Sequence, residues 1–146
     1  MTIQGMAHIG MVVEDLPAAT EFFVQLGLER LGEGQVEGDW VGRVIGLDDV
    51  RAEIAMLRTP DGHTEVELSR FLSPPSPDSD SHAPANAPGI RHICFTVDDL
   101  NTAVAGLRER RGTELVGEVE NYKDTYLLCY VRGPEGIIVE LVEKIG

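Results

Sequence analysis

The chain is poor in cysteine, in aromatic residues, in positive charge and in long apolar runs. It has two cysteines, Cys94 and Cys129, too few and too far apart for a cysteine-built metal centre. Both fall in apolar, strand-like stretches, which predicts buried, reduced thiols. Aromatics make up 5% of the residues, little for an aromatic binding cage. Twelve Lys and Arg face 25 Asp and Glu, for a net charge of −13. That balance excludes the basic footprint a nucleic-acid partner requires and works against an anionic membrane surface. No apolar run approaches the roughly 20 residues of a membrane helix. The opening MTIQGMAHIG has neither a basic n-region nor an apolar h-region, so a cytoplasmic location is expected. What remains is ordinary for a globular protein: 42% hydrophobic residues in a 146-residue chain, enough for one domain.

What the chain does have is a repeat. HIGMVVEDL starts at His8 and HICFTVDDL at His92, an offset of 84 (92 − 8). At that offset Ile9 meets Ile93, Val13 meets Val97, Asp15 meets Asp99 and Leu16 meets Leu100. Each copy later reaches a Glu-Leu pair after a Pro-x-Gly turn: Pro60-Asp61-Gly62 before Glu67-Leu68, and Pro134-Glu135-Gly136 before Glu140-Leu141. One His and one Glu per copy supply two imidazoles and two carboxylates, a mixed nitrogen and oxygen donor set suited to a divalent metal.

Hydrophobic periodicity gives the order of elements within each copy. In the first, strands are predicted over 6–13, 50–58 and 64–70, and a short strand plus a loop around Trp40 and Arg43 over 30–45. A helix is predicted after the N-cap Asp15, with Pro17 in its first turn, Leu16, Ala19, Phe22, Phe23 and Leu26 at helical spacing, and Gly27 at its end. In the second, strands are predicted over 90–97, 125–132 and 137–143, a weak strand near 114–119 and a helix over about 99–111. The fold class is therefore α+β: two βαβββ modules, 5–72 and 89–145, in a single domain spanning 1–146. The Pro, Ser and Asp-rich segment 73–88 reads as an exposed linker between them.

Strand alternation then sorts the candidate ligands. Ile9, Met11 and Val13 form the face a helix should cover, which turns His8 the other way. Val66 and Leu68 do the same for Glu67, Ile93 and Phe95 for His92, and Val139 and Leu141 for Glu140. All four candidates fall on the face away from the helices.

These marks, the paired HIG and HIC strand starts, the EDL and DDL helix starts and the P-x-G…E-L strand ends, resemble the vicinal oxygen chelate superfamily, which groups glyoxalases, bleomycin-resistance proteins and dioxygenases. The resemblance runs from Met6 to Glu143. It implies that the two modules build an open barrel around a metal, with the first and last strands of each module side by side. It also implies non-adjacent strands for Cys94 and Cys129, too far apart for a disulfide. The His, Glu, His, Glu order is most similar to the glyoxalase I branch and assigns metal ligation to His8, Glu67, His92 and Glu140. Methylmalonyl-CoA epimerases look similar but usually carry Gln where this chain has Glu67. The resemblance further implies a homodimer.

Two neutral imidazoles and two carboxylates suit Ni, Zn, Co, Fe or Mn and leave open positions for a small-molecule substrate with vicinal oxygens. The expected activity is that of a metal-dependent lyase or isomerase of the glyoxalase or epimerase type. It would abstract a proton next to a carbonyl through a metal-stabilised enediolate, with Glu140 as the catalytic base and Glu67 as its pseudo-symmetric partner. An Fe(II) ring-cleaving dioxygenase is the alternative, although that chemistry usually takes a 2-His-1-carboxylate triad. A further alternative is a non-enzymatic, drug-sequestering resistance protein. The bland reading of the four residues is a pair of satisfied strand histidines and two carboxylates paired with arginines such as Arg43 or Arg132. Glu65 shares the face of Glu67, but its counterpart in the second copy is apolar. His63 and His82 sit in turn and linker sequence and are expected to be solvated. Trp40, Arg43, Tyr122, Lys123 and Tyr126, near strand ends or loops, are substrate-contact candidates that more often pack or face solvent.

Overall fold

The computed structural model describes residues 1–146. The chain divides into two compact units, Met1–Asp78 and Ser79–Gly146.

The first unit begins with strand β1 (His8–Val12) and helix α1 (Leu16–Gln25). The Asp15 side chain accepts the Ala18 N–H at 3.0 Å, which satisfies one of the donors a helix start leaves orphaned. Leu16, Ala19, Thr20, Phe22 and Phe23 are buried at helical spacing, and α1 lies against β3 (Arg51–Arg58) and β4 (Glu65–Ser73). Phe22 and Phe23 are both fully buried, their rings edge to face, and each contributes about 1.5–3 kcal/mol by leaving water. The sheet order is β1-β4-β3-β2, with β2 at Glu29–Glu37. β1 runs parallel to β4, and the other pairs are antiparallel. A parallel pair cannot be joined by a tight turn, and α1 starts the crossover that separates its two strands.

The second unit repeats this plan. β5 (His92–Thr96) pairs in parallel with β9 (Ile138–Lys144), and β9 pairs antiparallel with β8 (Tyr126–Arg132). Helix α3 (Leu100–Arg108) starts at Asp99, whose carboxylate accepts from both the N–H and the hydroxyl of Thr102. Glu143 on β9 accepts the Leu100 N–H at 2.7 Å and ties the helix start to the sheet. The far edge of β8 is shared by two short strands, β6 (Glu114–Leu115) and β7 (Glu120–Tyr122). The architecture is α+β with a βαβββ module in each unit, and both sheets are open.

Three expectations need correction. Residues 30–45 are not a short strand and a loop. β2 is nine residues long, and helix α2 (Asp39–Ile45) follows it. Almost all β2 side chains are exposed, so its backbone ladder with β3 leaves no alternating apolar pattern to read. Gly38 and Gly46, at φ 108° and 76°, bracket α2 in conformations disfavoured for other residues, and only Val41 of that helix is buried. The weak strand expected near 114–119 is split in two. Finally, the segment 73–88 is not uniformly a free linker. Ser73 closes β4, and the guanidinium of Arg132 donates to the carbonyls of Ser81, Ala83 and Gly136 at 3.0–3.3 Å. Arg91 donates to the same Ala83 carbonyl at 3.2 Å.

Candidate functional site

In each unit the parallel strand pair sets one histidine beside one carboxylate. Along β1 and β4 the register partner of Glu67 is Gly10, and that of His8 is Glu65. His8 Nε2 lies 3.5 Å from Glu67 Oε2, reaching diagonally across the pair. Along β5 and β9 the partner of Glu140 is Cys94, and His92 Nε2 again reaches diagonally, to 3.2 Å from Glu140 Oε2. The side chains that alternate with these, Val66, Leu68, Val139 and Leu141, are fully buried on the opposite face. Each carboxylate is less exposed than its imidazole: 29% against 45% in the first unit and 19% against 37% in the second.

Supporting groups differ between the couples. In the first unit the Ser69 hydroxyl donates to Glu67 Oε1 at 3.4 Å. In the second, Cys94 is the register partner of Glu140 and shares its face. The Tyr130 hydroxyl sits 3.4 Å from His92 Nδ1, with ring centroids 4.8 Å apart. Partial desolvation at the sheet face, reinforced by the Glu140 charge, raises the Cys94 thiol to about 11 although the residue is exposed. Burial, then Glu140 and Cys94, raises Tyr130 as well. These groups therefore serve the site as neutral donors.

The arginine-paired reading fits Glu65, not Glu67. Arg58 Nη2 lies 3.3 Å from Glu65 Oε1. Arg132, offered above as a partner for a site carboxylate, is directed at carbonyls instead. Donors gather as couples, and no group of three or more His, Cys, Asp or Glu that could hold a metal ion is formed. Each couple presents an imidazole nitrogen and a carboxylate oxygen on an accessible sheet face, which fits half of a nitrogen and oxygen coordination set.

Other sequence candidates stand apart from these couples. His63 and His82 are exposed, held by turns around Asp61 and Asp80. Trp40 is exposed on α2, and Tyr122 and Tyr126 are exposed at the β7–β8 turn, with the Lys123 ammonium over the Tyr122 ring. The thiols are free, and β5 and β8 are separated by β9, as the resemblance implied. Cys129 is buried, but Cys94 is exposed, against expectation. It stands two residues after His92 and shares its face, a placement that strand alternation carried and residue type masked. Ser69 was legible by the same rule from Glu67. Tyr130 was not, because its place opposite Glu140 depends on the β8–β9 register. Tyr130 also lines an open recess of about 430 Å³ with Val116, Tyr122 and Leu128.

Residues 7–130 match the Glyoxalase/Bleomycin resistance protein/Dioxygenase superfamily, and the chain belongs to that superfamily. It is 46% identical to a glyoxalase family protein of solved structure from Bacillus cereus, with a TM-score of 0.95 over 100% of this chain and 97% of that one. It shares its fold with the trypanothione-dependent glyoxalase I of Leishmania major, at 19% identity and a TM-score of 0.63 over 97% of this chain and 87% of the other. Among characterised sequences it is similar to the mitochondrial methylmalonyl-CoA epimerase of Homo sapiens, 25% identical over 136 residues, which span 92% of this chain and 70% of that protein. No helix is long and apolar enough to cross a membrane.

Proposed function

We propose that this chain is a metal-dependent lyase or isomerase of the glyoxalase or epimerase type, which removes a proton next to a carbonyl in a small molecule with vicinal oxygens. The observation that carries the reading is the repeated His–Glu couple, with Glu67 facing His8 while its neighbour Glu65 is held by Arg58. In this reading His8, Glu67, His92 and Glu140 together hold one divalent cation, Ni, Zn, Co, Fe or Mn. The cation supplies Lewis acidity at the substrate carbonyl and offsets the negative charge that develops there.

The remaining work falls to side chains. Glu140, the less exposed carboxylate, accepts the proton, and Glu67 serves as its pseudo-symmetric partner. Cys94, opposite Glu140 on β5, sets an uncharged thiol beside it. The recess beside Tyr130, with its Val116 and Leu128 walls, takes an apolar part of the substrate. A homodimer is part of the same proposal.

The test is solvent exchange. Candidate 2-oxo and acyl-CoA compounds are incubated in D2O with metal-loaded protein. Deuterium should enter next to the carbonyl, and Glu140→Gln should abolish it. Absence of exchange with every candidate, together with oxygen uptake on catechols, would replace this reading with ring-cleaving dioxygenase chemistry.

A further inference from the structure

The two couples are not equivalent, because only one histidine is gripped on both sides. On β8, Tyr130 is the register partner of Glu140, so both side chains project from the same face of the sheet. Its hydroxyl lies 3.4 Å from His92 Nδ1, and its ring packs on the imidazole with the planes tilted by 40°. In the first unit the residue opposite Glu67 is Met56, whose thioether has no proton to donate and accepts only weakly.

We propose that Tyr130 is a positioning residue that fixes the ring of His92 and serves both of its neutral tautomers. The inference rests on the metal-site reading above. A neutral imidazole carries one proton. In the tautomer with the ring proton on Nε2, that N–H donates to Glu140 and Nδ1 accepts from the Tyr130 hydroxyl. Ligation through Nε2 requires the lone pair there, so the ring proton must reside on Nδ1. The Tyr130 hydroxyl then rotates and accepts it. A hydroxyl performs both roles because it is donor and acceptor at once. Met56 offers no such support, and His92 is the better-oriented of the two nitrogen ligands.

Tyr130→Phe keeps the ring and removes only the hydroxyl. Binding of Co2+ is measured by titration for the unmodified chain, Tyr130→Phe and the control Met56→Leu, with thermal unfolding of each metal-free protein. The His92 ring 15N shifts are recorded before and after Co2+ is replaced by diamagnetic Zn2+. Tyr130→Phe should weaken metal binding by about 10–100-fold, the usual effect of losing an outer-shell partner. Its unfolding temperature should stay unchanged, and Met56→Leu should bind normally. In the unmodified chain the ring proton should move from Nε2 to Nδ1 on metal binding. Equal affinities of the unmodified chain and Tyr130→Phe would overturn this inference alone. Absence of binding in the unmodified chain would overturn the metal reading and this inference with it.

Discussion

Glu65 and Glu67 stand two residues apart on one face of β4 and have different partners: Arg58 at 3.3 Å for the first, His8 at 3.5 Å for the second. Both Arg58 and Glu65 are partly exposed, so their pair contributes at most about 1 kcal/mol. The Glu65→Gln variant should therefore lose little stability and no metal affinity. Glu67→Gln removes a proposed charged ligand and should weaken binding by more than the roughly 10–100-fold typical of an outer-shell loss. Metal titration of the two variants side by side checks this, and equal losses would remove the distinction drawn between the two carboxylates.

Gly136 closes the turn before β9 at φ 84°, and a Cβ there would collide with the Ser81 carbonyl that Arg132 also engages. Gly136→Ala should destabilise the protein by about 1–3 kcal/mol through backbone strain and displacement of the Ser81 backbone. Urea unfolding measures it. An unchanged midpoint would mean that Ser81 does not stay against the turn before β9 in solution.

Asp99 caps α3, and its hydrogen bonds from the Thr102 N–H and hydroxyl hold its carboxyl below the usual 3.8. A folded-state value below the unfolded one means the cap's contribution is fully present above about pH 4 and fades as pH falls through the depressed value. Asp99→Asn should keep much of the cap at neutral pH but lose this acid dependence, while Asp99→Ala should lower stability at pH 7. Thermal unfolding between pH 2 and 7 separates the three proteins. A parallel acid profile for Asp99→Asn would contradict the assignment.

Strand alternation carried most of what was legible. It placed His8, Glu67, His92 and Glu140 opposite the helix-covered face, because one buried face fixes the direction of every second side chain. The same rule applied to Cys94 would have exposed it. Residue type suggested burial instead, and residue type lost to the geometry of β5. What could not be read depends on contacts between distant segments. Arg132 reaches the carbonyls of residues 81 and 83, and Tyr130 reaches His92 through strand register. α2 escaped for another reason: Trp40, Val41, Val44 and Ile45 stand at helical spacing, but the helix is seven residues long, holds Gly42 and buries only Val41.

Metal stoichiometry tests the central claim most directly. Protein purified without added metal, then loaded with Ni2+, Zn2+ or Co2+ and freed of excess, should retain about one ion per chain, as the proposed four-ligand set requires. Either His8→Gln or His92→Gln should abolish that retention, because the proposal gives each couple only half of the ligands. Two ions per chain, no ion under any loading, or retention that survives loss of either histidine would contradict the account.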